Sequence, residues 1–146
     1  MPRNSVAYDD DFFAWTQEQA RLLRAGEHAD LDAENLAEEI ESVGNSNRRE
    51  IRNRLTVLLV HLLKWRFQSR RRGASWSATI LEQRLQINSI MEDSPSLRPF
   101  FAEVLPSSYK HARDIAARET RMQADTFPPA CPYTPEQILS EDFLPE

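Results

Sequence analysis

At 146 residues, with 40% hydrophobic and 28% charged side chains and a net charge of −5, the chain has the size and composition of one globular domain. Its longest apolar run, Leu55 to Leu63, contains His61 and falls well short of the ~20 residues that span a bilayer, so no membrane association is expected. Three Gly and a lone Cys131 exclude a glycine-rich phosphate loop, an internal disulfide and a thiolate zinc cluster, and neither a cofactor nor a metal is implied.

The segment Tyr8-Asp9-Asp10-Asp11-Phe12 is acidic where a secretory leader is basic and then apolar, which points to a cytoplasmic protein. Charge is divided along the chain. Met1 to Glu41 holds eleven acidic and three basic residues, a net −8, whereas Arg48 to Arg84 holds ten basic and two acidic ones, a net +8. The second segment suits a phosphate backbone, but the first is its complement in the same chain, so pairing within or between copies ranks ahead of nucleic-acid binding.

Asp10 or Asp11 is placed to cap a first helix that runs to Gly26. Phe12, Trp15, Gln19, Leu22 and Leu23 trace its apolar stripe, with Phe13 beside it. Asp32, or alternatively Asn35, caps the next helix. Here Leu36, Ile40, Val43, Asn47, Ile51, Leu55, Leu58, Leu62 and Trp65 cover 29 residues in eight steps, the period of an α-helix with no slip of phase. Gly44-Asn45-Ser46-Asn47 reads as a loop by composition, yet a loop has no reason to keep that phase. One long helix over about 33–69 follows, with Gly44 as a point of bending. It is amphipathic before Arg54 and apolar nearly all round from Leu55 to Trp65, where Val57, Leu59, Val60 and Leu63 fill the other faces, so its second half must be surrounded by core.

Arg70-Arg71-Arg72-Gly73 ends that helix, and Ser75 is the expected cap of a third. The third stripe runs Trp76, Ile80, Arg84, Ile87, Met91, widened by Leu81, Leu85 and Ile90. Ser94-Pro95 restarts the chain, and Pro106 predicts a break between a helix near 95–104 and another near 107–121. Phe127 to Tyr133, with three prolines, predicts an extended strap. Thr134-Pro135-Glu136-Gln137 has the capping-box pattern of a final short helix, after which Phe143 and Leu144 anchor the tail. The expected architecture is an all-α, single-domain helical bundle, 1–146 with an ordered core over about 8–144, built around one long central helix.

Several phrases in order carry a resemblance over Tyr8 to Leu144: Ala14-Trp15-Thr16, Asn35-Leu36-Ala37-Glu38-Glu39-Ile40-Glu41, His61-Leu62-Leu63-Lys64-Trp65, Ser75-Trp76, Gln83-Arg84, Asp93-Ser94-Pro95 and Cys131-Pro132-Tyr133. The chain resembles the bacterial family catalogued as domain of unknown function 29. The resemblance implies an all-helical bacterial protein and brings no activity, substrate or cofactor with it.

Arg54, His61 and Arg84 fall where periodicity predicts burial, and buried charge demands partners. The functional reading is a polar pocket with His61 as acid or base, Lys64 and Gln83 beside it, and Arg84 holding an anion. An interior hydrogen-bond network that fixes helix register is the favoured alternative. Arg54, Glu38, Glu41 and Trp76 are further ligand-binding candidates. Glu38 and Glu41 could share a cation, but glutamates at that spacing are commonplace on helix surfaces. Trp15, Trp65 and Trp76 lie on apolar stripes and are expected in the core. Cys131 sits in an apolar strap with no basic neighbour in sequence, the setting of an inert thiol. The residues favour a non-enzymatic helical interaction module that binds another protein or itself as a homodimer. Nucleic-acid binding through the basic 48–72 surface, and an enzyme or small-ligand binder near His61 and Arg84, are the alternatives.

Overall fold

The structure, a computed structural model, describes residues 6–146. These contain five α-helices joined by single 3₁₀ turns and, among the described residues, no strand. By packing the chain divides into two compact units, Met1–Asn45 and Ser46–Glu146.

The first unit is organised by a cap at each end of a short helix. Helix α1, Phe12–Ala25, begins where the Asp11 carboxylate accepts the Ala14 amide at 3.0 Å. It ends at Gly26, whose φ of 72° lies in the left-handed region that glycine enters without strain, and whose N–H reaches the Leu22 and Leu23 carbonyls. Trp15, Gln19 and Leu22 are its buried residues. Phe12 and Leu23, expected on the same buried stripe, are instead about half exposed, so the apolar face that packs is narrower than the sequence suggested. After a turn over His28–Asp30, Asp32 precedes helix α2, Ala33–Phe67; its carbonyl accepts the Leu36 amide at 2.9 Å, which puts it at the cap position, and its carboxylate accepts from the Asn35 side chain at 2.8 Å.

Helix α2 is 35 residues long and runs without interruption through Gly44-Asn45-Ser46-Asn47, as its unbroken phase requires. Burial changes sharply along it. Ile40 and Val43 are 71% and 68% exposed, whereas Ile51, Leu55, Leu58, Leu59, Leu62 and Leu63 are fully enclosed. Val60 is buried as well, whereas Val57, at 38% exposure, and the partly buried Trp65 break the enclosure expected of this stretch. No helix among the described residues is long and apolar enough to cross a membrane.

The second unit surrounds the enclosed half of α2 with α3, Ala74–Asp93, α4, Arg98–Thr120, the strap and α5, Pro135–Leu139. Helix α3 is capped two residues earlier than expected: Gly73 is the cap residue, and Ser75 lies inside the first turn, where its carbonyl accepts Thr79 Oγ1 at 3.0 Å. Ile80, Arg84, Ile87 and Met91 are buried, but Leu81 and Leu85 are exposed rather than widening the core face.

Pro106 does not divide α4. The helix passes through it, because Phe100, Phe101, Val104, Leu105, Ser108 and Tyr109 on both sides are all buried. A proline inside a helix costs ~3 kcal/mol, while each fully buried large apolar side chain contributes about 1.5–3 kcal/mol. Packing therefore outweighs the lost hydrogen bond. The carbonyl left without a donor is that of Ala102, on an exposed residue. Beyond α4 the strap is non-helical as predicted, with Phe127 fully enclosed against Phe67 and with Tyr133 buried. Thr134 and Gln137 form the expected reciprocal cap of α5. In the tail Phe143 packs edge-on against Tyr133, whereas Leu144 is 40% exposed and only partly covered.

Candidate functional site

The polar residues that interrupt the apolar stripes have distinct fates. Arg84 is 1% exposed and faces no carboxylate at hydrogen-bonding distance. Its Nε donates to the Ile138 carbonyl at 2.7 Å and its Nη2 to the Gln137 carbonyl at 3.3 Å, while Asn88 Nδ2 donates to the Leu139 carbonyl at 3.3 Å. One face of α3 thus receives three consecutive carbonyls from the last turn of α5, groups that have no acceptor role left within their own helix. Burial lowers the Arg84 pKa, and the Glu141 carboxylate opposes that shift.

Arg54 is half-buried and bridges two helices, with Nε on Glu50 at 2.9 Å and Nη1 on the Gln83 side-chain oxygen at 3.2 Å. Lys64 forms an ion pair with Glu119 at 3.0 Å and lies 4.9 Å from the Trp76 ring centre. The structure therefore brings Arg54 to Gln83 and Lys64 to Trp76. His61 is not joined to Arg84: its Nδ1 lies 2.8 Å from its own helix's Val57 carbonyl. Glu38 and Glu41 are exposed.

The basic segment has a common device that spacing alone did not reveal. Arg48 and Arg52 both lie over Phe100, Arg66 over Phe67 and Arg72 over Trp65, at 5.0–5.7 Å from the ring centres. Arg72 Nε also donates to the Trp65 carbonyl at 2.6 Å. Arginine stems and heads thereby cover aromatic surface at the edge of the core. Trp65 and Trp76 are partly buried rather than enclosed, and Trp15 is in the core of its own unit.

In that first unit Trp15 has a second task. Its Nε1 donates to Asp32 Oδ2 at 3.1 Å, Asn35 Nδ2 donates to the same oxygen at 2.8 Å, and the Asp32 amide donates to Gln19 Oε1 at 2.8 Å. Hydrogen bonds from Asn35 and Trp15 hold the Asp32 carboxyl below its ordinary pKa, against some desolvation. Tyr8 packs on Trp15 and Phe12 and donates its hydroxyl to Glu39, which pushes the phenol up to about 12.

A concavity of about 540 Å³ lies elsewhere, between α4 and the strap. Leu105, Pro106, Tyr109, Lys110 and Arg113 line one wall from a single face of α4, at offsets of one, four, five and eight residues. Pro129, Ala130, Cys131 and Tyr133 of the strap line the other. Tyr109 donates to the Pro128 carbonyl at 2.5 Å and Arg113 Nε to the Phe127 carbonyl at 3.2 Å, so α4 holds the strap in place. Lys110 and Arg113 are the basic neighbours that Cys131 lacked in sequence. Even so, burial pushes the Cys131 thiol up, which keeps it protonated near neutrality; its Sγ donates to the Tyr133 carbonyl at 3.5 Å. The Tyr133 hydroxyl is enclosed without a hydrogen-bond partner, and burial pushes its phenol up, with the Arg66 guanidinium opposing that shift. Of the cleft's polar residues only Cys131 was weighed from sequence, as an inert thiol; Tyr109, Lys110 and Arg113 were not named, because 18 positions separate Arg113 from Cys131 and only the fold unites them.

No curated protein and no solved structure matches the chain. The family model described as domain of unknown function DUF29 matches residues 7–144, nearly the full length, and with the all-helical architecture this establishes that the chain belongs to the DUF29 family.

Proposed function

We propose that the chain is a helical interaction module that self-associates through the first half of α2. One observation carries this reading: a stripe that keeps strict helical phase with the core-forming half of α2 includes Ile40, which is 71% exposed. Isolated apolar side chains on surfaces are ordinary. An apolar residue in register with a core stripe, flanked by charge, is the pattern of a helix face that meets another helix.

The partner of best complementarity is a second copy. Glu34, Glu38, Glu39 and Glu41 precede the stripe's midpoint and Arg48, Arg49 and Arg52 follow it on the same helix. Two such helices laid antiparallel about a two-fold axis set acid against base twice, as an isologous dimer requires. Contact with nucleic acid is the weaker reading, because the acidic residues that precede these arginines on the same helix already supply a complementary surface.

Ile40→Glu tests the proposal. The wild-type chain should sediment as a dimer at low salt and dissociate as salt is raised, while the variant should remain monomeric with unchanged helical circular dichroism. A wild-type chain that is monomeric at every concentration, or a variant that dimerises equally well, defeats it.

A further inference from the structure

Independently of self-association, the geometry points to a second kind of binding: we propose that the cleft between α4 and the strap takes a small aromatic carboxylate, its acid group on Lys110 and Arg113 and its ring between the two walls. Four features of the cleft argue for this chemistry.

The first is charge. Two cations line the cleft and no carboxylate does, in a chain whose net charge is −5. Lys110 and Arg113 form no ion pair among the described residues. They lie three apart on α4, neighbours on one helix face, so both can reach a single anionic group. Arg113 directs only its Nε to the Phe127 carbonyl. Its two terminal nitrogens remain for the planar, two-pronged contact that a guanidinium makes with a carboxylate.

The second is the surface that remains. Leu105, Pro106, Pro129 and Ala130 offer no side-chain donor or acceptor, and Tyr109 spends its proton on the Pro128 carbonyl. A fully hydrated ion gains little from such walls, whereas a ligand with an apolar body gains by leaving water. Rigid proline rings and tyrosine rings form flat surfaces, which favour a flat body over a flexible one.

Preorganisation is the third. The Tyr109 and Arg113 hydrogen bonds fix the strap before any ligand arrives, and Tyr133 beside them is 7% exposed. A wall that is already ordered does not charge its ordering entropy to binding. The fourth is size: about 540 Å³ lies within the ~300–1,000 Å³ typical of small-molecule sites. The protonated Cys131 thiol contributes surface, not a nucleophile, so binding without covalent chemistry is the expectation.

The test uses the full chain and three probes: naphthalene-2-carboxylate, the neutral naphthalene-2-carboxamide, and inorganic phosphate. Titration followed by amide chemical shifts should show the carboxylate perturbing residues 105–113 and 127–133. The carboxamide should bind about tenfold more weakly, and phosphate should not compete at equal concentration. Lys110→Gln, at an exposed position, should weaken the carboxylate several-fold and leave the carboxamide unchanged. Ala130→Trp, also exposed, should fill the cleft and abolish binding of both with the cations intact.

Equal binding of acid and amide would overturn the proposal. So would unchanged binding in Ala130→Trp, phosphate competing as well as the aromatic acid, or no shifts with the carboxylate at ~1 mM, the weak end of specific affinity. Arg113→Gln is a poorer variant, since it also releases the Phe127 carbonyl. None of these readouts depends on whether the chain dimerises, so either proposal can fail alone.

Discussion

The two halves of α2 have the same period and opposite surroundings. From Leu36 to Val43 the helix keeps its apolar stripe while Ile40 stands in solvent; from Ile51 to Leu63 nearly every apolar residue is enclosed. Periodicity identifies which side of a helix is apolar, but it does not supply the element that covers it. What separates the halves is the composition of the remaining faces. Glu38, Glu39, Glu41 and Asn45 line the first, whereas Leu59, Val60 and Leu63 occupy the second, and a helix apolar on several sides cannot be left uncovered.

The sharpest way to break this comparison is to delete equivalent volume from each half. Leu62→Ala should cost about 2–5 kcal/mol, because the residue is wholly enclosed and a cavity remains. Ile40→Ala should change the unfolding free energy of the dilute chain by about 0.5 kcal/mol or less. Urea denaturation at low protein concentration measures both, and similar losses would mean that the halves do not differ.

A smaller effect is expected at Arg84, where α3 is tied to α5. Arg84→Met keeps most of the apolar stem but leaves the Ile138 and Gln137 carbonyls without donors, at a cost of about 1.5–3 kcal/mol. The measurement is again urea denaturation, and a loss confined to the α5 amides in hydrogen exchange would show that the clamp is local.

The smallest effect belongs to the exposed end of the helix and is best read against pH. The Asp32 carboxyl has a folded-state pKa below its unfolded value, so its contribution is present above the unfolded value and is lost as pH falls through the folded one. Asp32→Asn should therefore reduce stability near neutrality and flatten its decline in acid. A decline as steep as that of the parent chain would assign the acid sensitivity to other groups.

Legibility in the sequence follows the same division between local and distant physics. The continuity of α2 through Gly44 was readable because phase is a property of consecutive residues, and so were the Asp11, Asp32 and Thr134 caps, whose partners lie within three positions. Pro106 misled because its local cost is real, while the packing that overrides it comes from Phe100, Phe101 and Tyr109 meeting other elements. The burial of Arg84 was legible from its stripe, but its partners were not: they are backbone carbonyls more than fifty residues away, a group type that every residue carries. His61, on α2 and likewise expected to be buried, is only partly so, and its ring turns to the carbonyl of its own preceding turn. The cleft was the least legible feature, since Lys110 and Arg113 look like ordinary surface cations until the strap is laid beside them.

The unbroken passage of α4 through Pro106 bears on how that helix holds together. A ladder of backbone hydrogen bonds lacks one rung there, so the residues before and after the proline are not coupled along the helix axis as an ordinary repeat would be. Their continuity is supported from the side, by the rings and methyl groups that each half presses into the same interior. In mechanical terms α4 is less a rod than two short beams glued to one plate, and its unbroken run is a property of the plate.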